Sequence, residues 1–573
     1  MDRRTNHCIT SAFLNYFLVG LASLTLSVLF GQGFIGSDDL GYSRFATDVL
    51  RHGLALKESS HHVGRIGVYL PLAVSFRIFG VNEFALTLIP VLSTVLTSVL
   101  LCAIGTHLFD ARIGLFAGLL HAFFPLKLSC GNICVPEPMI GCEIAAAVLL
   151  FLKADPLRQG YWDGRKLLSG MLLGLAYLTS EVGAVMVPGI LLYQFLSRKL
   201  RRGDSSFVLG FLCVLLGEAV FYADVYGHPL YRFKVLGGDY LGDPFVREAN
   251  ENLFDRLFKA YPRHFVYPYA GLGYYGPLLV ISAVFGLIRY KSTLVLLVWA
   301  GSILFFYNFF SLKLTRYVAL PAASRLIYPG CLPLLVVSAM VIGDFLKWGQ
   351  ERRSLSRIML QGLCGCVVIW LCATSILSAY LTRDTGFTAI LARNAEAAAS
   401  YLRGQPGLTI VSDPRTISDI AFYRGFSPSD RLIDMGTSEP LETQLGEQEG
   451  RHEYIVINGP IYHLKKDVDF FPFDAQRSHR MAMVLASGVR PEFDYRLPRA
   501  PQFRSFMKIG VALGLLHRNT KRAYEKDILG AGAMGWVKVF PSAALKTAGE
   551  ESAGTRGEGS VHVNPAARRS VGR

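Results

Sequence analysis

Charge is scarce in this chain. Only 18% of its 573 residues are Asp, Glu, Lys or Arg, where a soluble globular chain carries roughly a quarter. With 51% of residues hydrophobic, that deficit excludes an ordinary soluble protein and points to the membrane. Cysteine is absent after Cys372, so the polar C-terminal part has no disulfide framework. Cys130 and Cys134 have no CxxC partner and read as small packing residues. An internal sequence repeat is also lacking, which weighs against a transporter built from two halves. The net charge of +15 is not gathered into a nucleic-acid-binding face. Its basic residues sit in short connectors between apolar runs, such as Arg198, Lys199, Arg201 and Arg202, then Lys347, Arg352, Arg353 and Arg357. That is the pattern of cytoplasmic loops.

What is present is a series of long apolar runs. Residues 11–30 contain no charge and match the length needed to cross a bilayer. No small-x-small cleavage site follows, so an uncleaved helix is expected rather than a signal peptide. Further runs cover 84–108, 113–126, 128–152, 167–196, 207–222, 274–288, 294–310, 326–342 and 358–381. The run 167–196 is long enough for two short helices broken near Glu181 and Gly183. About eleven spans result. With the N-terminus cytoplasmic, the basic connectors fall on the cytoplasmic side. Residues 32–82, 226–272, 312–324 and everything after Leu381 then face outward.

The first outer loop reads as two helices at the membrane surface. One is amphipathic, with Leu40, Phe45, Val49 and Leu50 on one side; the other is the stretch "GRIGVYLPLAVSFRIFG". Beyond residue 400, "GLTIVSD" and "HEYIVING" read as strands and "PRTISDIAFYRGF" as a helix, giving a small outer α/β domain. The expected domains are 1–382 in the membrane, 383–540 outside it, and a disordered tail at 541–573.

Several polar residues interrupt this apolar background. Asp38 and Asp39 directly follow the first span, with Tyr42 one helical turn on. They suit a helix N-cap at Ser37, and equally a general base or a metal ligand. His61, His62 and Arg65 follow; a guanidinium matches phosphate oxygens, whereas adjacent histidines diverge and do not make a metal site. Glu137 stands between two prolines at the outer end of a span, with Glu143 and Glu218 deeper. Carboxylates there are either structural ion pairs, with Arg316 or Arg325 as partners, or functional groups. Lys313, Arg316, Arg325 and Tyr328 place cations on the outer side, as headgroup anchors or as a phosphate site.

These motifs resemble the polytopic C-type-fold (GT-C) glycosyltransferases that use polyprenyl-phosphate sugars, among them protein O-mannosyltransferases and the aminoarabinose lipid A transferases. The family's acidic pair and tyrosine stand here as Asp38-Asp39-Leu40-Gly41-Tyr42. Arg65 to Leu70 is similar to its R-x-P-L-y segment, with Gly67 at the proline. "RIFGVNEFALTLIP" and "GLAYLTSEVG" resemble two further segments, with Thr87 at the usual arginine and Ser180 at the frequent lysine. "LFDARIGLFAGLLHAFFP" and "SRLIYPGCLPLLVVSA" complete the series. The resemblance implies an all-α polytopic membrane protein of the GT-C fold with the outer α/β domain appended. It implies inverting transfer of a sugar from a polyprenyl-phosphate donor to an outer glycolipid, glycan or protein. Asp38, Asp39 and Glu137 are then the catalytic residues. Arg65, Arg316, Arg325 and Tyr328 bind the donor phosphate, and Tyr42, His62 and Lys313 position substrate. No cofactor is required, a divalent cation is compatible with the carboxylates, and nucleic acid is no partner. A lipid-linked-sugar flippase and a pyrophosphate-glycan ligase remain open alternatives. The expected location is the inner or plasma membrane.

Overall fold

The computed structural model describes residues 3–54, 61–154, 162–198, 203–242, 254, 256, 261–268, 271–311, 320, 323–350, 354–385, 387–405, 407–436, 452–458, 475–487, 489–496, 503–515, 536–542 and 544. The chain forms two compact units, Met1–Ala389 with Arg499–Gly530, and Ile390–Pro498 with Ala531–Arg573. The sequence reading cuts instead at 382 and 540. Two contacts explain the difference. The helix Phe387–Tyr401 packs Ala395, Ala398 and Ala399 into the core of the second unit. The helix Phe503–Ala512 packs on the helix Ser354–Thr385, with the Phe506 ring 5.3 Å from Tyr380. Residues 545–573, most of the expected tail, lie outside the described residues.

The first unit is built from helices. In chain order they begin with α1 (Arg3–Phe30), α2 (Asp38–His52), α3 (Ile66–Phe79), α4 (Glu83–Leu108), α5 (Ala111–Ala122), α6 (Pro125–Cys130), α7 (Pro136–Leu152), α8 (Gly164–Thr179), α9 (Val182–Leu196), α10 (Asp204–Tyr226) and α11 (Tyr231–Gly242). Long uncharged sequence forms helices here because only a helix satisfies every backbone group within one apolar segment. Among the described residues, six helices are long and apolar enough to cross a membrane, with four shorter apolar helices besides. The break expected in 167–196 falls between Thr179 and Val182, where Gly183 N–H donates to the Ser180 carbonyl.

Burial ranks these helices. The apolar window of Ser324–Gln350 is 89% buried, while those of α1 and of Ile358–Leu381 are 22% buried. The first is the central post and the other two are peripheral. Phe13, Phe17 and Val28 of α1 point outward, as lipid-facing side chains do. The two loop helices are docked rather than merely resting on a surface, for α3 packs against α2, α4 and α8. It buries Val68, Tyr69, Leu72 and Phe76 and leaves Val74 and Ile78 outside.

The second unit is a five-stranded sheet, β1 (Thr409–Ser412), β2 (Arg431–Asp434), β3 (Glu453–Asn458), β4 (Phe493–Arg496) and β5 (Trp536–Pro541), in the order β2-β1-β3-β5-β4. β1 runs parallel to β2 and β3, and β5 runs antiparallel to β3 and β4. Period-two alternation divides its core. Val411, Ile455 and Ile457 pack with Met481 and Val484, while Ile410, Tyr454 and Val456 pack with Ala395, Ala398 and Ile420. Helices therefore cover both faces, which is why these strands read as continuous apolar runs.

The closest helix crossing is that of α8 and α10. A Cβ on Gly170 would run into the backbone carbonyl of Phe207, and one on Gly210 into that of Leu167. Backbone cannot rotate aside, so Gly170→Val must spread the helices and should lower stability by about 1–3 kcal/mol. Gly217→Ala on the same α10 adds a methyl with nothing within 4 Å. Thermal unfolding of the detergent-purified protein should fall for the first variant and hold for the second.

Candidate active site

Chain alternation brings the loops after α1, α6, α8 and α10, and the start of the central helix, to one end of the bundle. The site begins in the loop "GQGFIG". Gly33 has φ +70°, and a side chain there would strike Glu83. Its place lets Phe34 N–H donate to Glu83 Oε1 at 2.9 Å. The loop then folds around Asp39. The Asp39 carboxylate accepts from the N–H groups of Ile35 (2.7 Å), Gly36 (3.2 Å), Ser37 and Leu40 (3.1 Å). Asp39, expected among the catalytic residues, is thus buried and engaged with its own backbone. Ser37 stands at the N-cap without a side-chain cap bond; Asp39 does that work. The neighbouring carboxylate, Asp38, points away from this clamp, toward Arg325.

Asp38 meets Arg325, whose Nη2 lies 2.6 Å from Oδ2. The Nε of the same guanidinium is 3.7 Å from Glu137 Oε1. Pro136 suits the first turn of α7, which puts Glu137 at the positive end of the helix. Glu137 is almost fully buried, and its Oε2 has no hydrogen-bond partner among the described residues. Burial by itself would raise the Asp38 carboxyl. Arg325, with His62 and Arg65 behind it, holds it well below the usual carboxylate range instead.

A second cluster adjoins the first. Arg65 Nη1 donates to the Tyr42 hydroxyl at 2.8 Å, and Nη2 lies 3.9 Å from Glu181 Oε2. His62 packs edge-on against Tyr42, ring centroids 4.7 Å apart. The expected positioning residues Tyr42 and His62 therefore act on Arg65 and on α2. Glu181 also binds Arg232, which reaches Glu181 Oε1 (2.9 Å), Glu218 Oε1 (2.9 Å) and the Tyr177 carbonyl (2.7 Å). The Arg232 guanidinium lies over the Tyr177 ring at 4.2 Å.

The structure thus gathers Asp38, Glu137, Arg65, Arg325, Tyr42 and His62. It corrects Tyr328, expected at the phosphate. That residue is buried, and its hydroxyl is 2.7 Å from His121 Nε2; His121 Nδ1 is 2.7 Å from Ser98 Oγ. Tyr328 secures the start of the central helix, three residues beyond Arg325. Lys313 and Arg316 lie outside the described residues. Glu218 pairs with Arg232 rather than with Arg316 or Arg325. Glu143 accepts from the Thr179 hydroxyl at 3.0 Å. Thr87, at the usual arginine, bonds back to the Glu83 carbonyl, and Ser180, at the frequent lysine, donates to Glu181. Among the described residues no cluster of His, Cys, Asp or Glu suits a metal ion.

Sequence reasoning missed Glu181 as a site residue, and Arg232 and His121 entirely. A lone Glu between two apolar runs was the signal for Glu181. Arg232 lies in the first turn of α11, in a stretch with no motif.

Comparison with known proteins bears on this geometry. Residues 66–222 match the family described as dolichyl-phosphate-mannose-protein mannosyltransferase. Archaeal oligosaccharyltransferase AglB from Archaeoglobus fulgidus, in complex with an inhibitory peptide and a dolichol-phosphate, superposes with a TM-score of 0.51 at 13% identity. That match covers 92% of this chain and 88% of that one. ArnT from Cupriavidus metallidurans, in the apo state, gives 0.44 at 14% identity over 87% and 97%. ArnT from the same organism bound to undecaprenyl phosphate gives 0.46 at 14% over 86% and 96%. No curated protein matches the sequence. The matched segment resembles this mannosyltransferase family, and the chain shares the C-type fold of the archaeal oligosaccharyltransferase.

The Asp39 clamp makes a stability prediction. Asp39→Asn sets an amide N–H₂ against backbone donors, so the loss should reach about 2–3 kcal/mol. It should show as a lower unfolding temperature, and Asp38→Asn should lose less.

Proposed function

We propose that the protein transfers a sugar from a polyprenyl-phosphate donor to an extracytoplasmic acceptor, with Asp38 as general base. The observation that carries this reading is the Arg325 guanidinium held between Asp38 and Glu137, at 2.6 and 3.7 Å. A cation shared by two carboxylates can turn to a phosphate, releasing Asp38 while it keeps Glu137. The archaeal oligosaccharyltransferase of the same fold is in complex with dolichol-phosphate, and a monophosphate carrier is the donor assigned here.

The chemistry follows from the charges. Without donor, Arg325 neutralises Asp38 and makes it a poor base. A bound phosphate draws Arg325 toward itself. Asp38, left in a poorly solvated place without its strongest partner, becomes more basic. It then takes the proton of an acceptor O–H or N–H as that atom attacks the anomeric carbon. The bond from this carbon to the phosphate oxygen breaks, its electron pair leaves with the polyprenyl monophosphate, and the anomeric centre inverts. Arg325 and Arg65 stabilise the leaving group; Arg316 and Lys313 are assigned to the same phosphate. Glu137 Oε2 accepts from a sugar or acceptor hydroxyl. Asp39 keeps the loop closed so that Asp38 faces the reaction. The N-terminus is assigned to the cytoplasm and the acceptor is a glycolipid, a glycan or a protein.

Asp38→Asn should abolish transfer while membrane insertion holds and the unfolding temperature falls less than in Asp39→Asn. Mass spectrometry of envelope lipids and glycans from a deletion strain, complemented with either form, reads this out; full activity of the variant removes the base assignment. The pH profile adds a second check. In kcat/KM, which reports the donor-free enzyme, Asp38 stays ionised and gives no acidic limb across the neutral range. Arg325→Gln removes its strongest partner and lets burial push the carboxyl up, so an acidic limb should emerge at higher pH than in the wild type.

A further inference from the structure

Arg65 and Arg232 share one carboxylate unequally. Glu181 Oε1 is 2.9 Å from Arg232, whereas Oε2 is 3.9 Å from Arg65. The inequality has a structural origin. Arg232 is 1% exposed and anchored on three further sides by Glu218, the Tyr177 carbonyl and the Tyr177 ring. It cannot follow Glu181, so Glu181 comes to it. Arg232 begins α11, which packs against the 3-10 turn His61–Gly64 just before Arg65. The loop after α10 is thereby tied to the segment that presents Arg65.

We propose that Arg232 is a positioning residue for the donor phosphate: by holding Glu181 it keeps that carboxylate off Arg65. This rests on the reading of Arg65 as a phosphate ligand. If Arg232 is removed, Glu181 moves the short distance to Arg65 and closes a tight ion pair. A phosphate must then displace a carboxylate from Arg65 before it binds. Arg232 touches neither donor nor acceptor, and its effect passes entirely through Glu181.

The test uses full-length protein in detergent, with undecaprenyl phosphate as the titrated probe. The background carries Glu218→Gln, so that removing Arg232 leaves no second buried carboxylate unpaired. Arg232→Met should weaken binding by about tenfold, the scale of one charge-assisted hydrogen bond. It should raise KM for donor while kcat at saturating donor holds. Adding Glu181→Gln to Arg232→Met should restore binding, which no loss of structure would do. Wild-type affinity in Arg232→Met, or no recovery in the double variant, overturns the proposal. If Arg232→Met is not recovered folded, Arg232→Lys, which keeps the charge but loses the fork to Glu181, decides in its place. Weaker binding that Glu181→Gln restores supports the proposal, and wild-type affinity or no recovery overturns it. Arg65→Met separates the two ideas. If it binds like wild type, the phosphate role of Arg65 fails. If it loses binding while the Arg232 and Glu181 effects simply add, only the present inference fails.

Discussion

A guanidinium inside an apolar helix bundle must be paired, and that requirement organises this end of the molecule. Arg325 draws on carboxylates from α2 and α7. Arg232 draws on α10 and the turn between α8 and α9. Arg65 reaches the same turn and the Tyr42 hydroxyl. Each pair joins elements far apart in the chain, so satisfying three cations pins most of the helix ends that form the site. Removing all partners of one such cation would leave a buried charge unpaired, a far larger cost than the pair's net worth.

The pairs are not equivalent, and their differences make chemistry possible. Arg232 is buried and held by Glu181, Glu218 and the Tyr177 carbonyl and ring, so it stays in place. Arg325 is about a third exposed and shared by two carboxylates, so it can exchange one partner for an anion. Asp38 and Asp39 divide labour in the same way. Asp39 is spent on four backbone N–H groups, which makes the loop rigid, and Asp38 is spent on a cation that can leave it. Adjacent identical residues thus acquire opposite roles because successive side chains on a helix point about 100° apart.

Much of the fold was legible because membrane segments are local signals. The uncharged runs, the break before Gly183, the amphipathic α2 and the strands around Val411 and Ile455 all follow from composition over ten to twenty residues. The site was legible in outline. Asp38, Tyr42, Arg65, Glu137 and Arg325 stand out as charge or phenol in apolar surroundings, and they do converge. Tyr328 misled because it stands three residues from Arg325, which faces the carboxylates, while its own ring turns into the core. Glu218 misled because its partner, Arg232, lies at the start of α11, in a stretch with no pattern to mark it.

The sequence alone determined that this chain is a helical membrane protein, where its helices break, and that polar residues collect in a few loops. Those properties depend on hydropathy and chain stiffness, which act between near neighbours. Only the tertiary structure decided which aspartate faces the site, which carboxylate holds which arginine, and that Glu181 serves two of them. Those choices depend on Coulomb interactions a few ångströms long between residues tens to hundreds of positions apart, such as the 2.6 Å contact of Asp38 with Arg325.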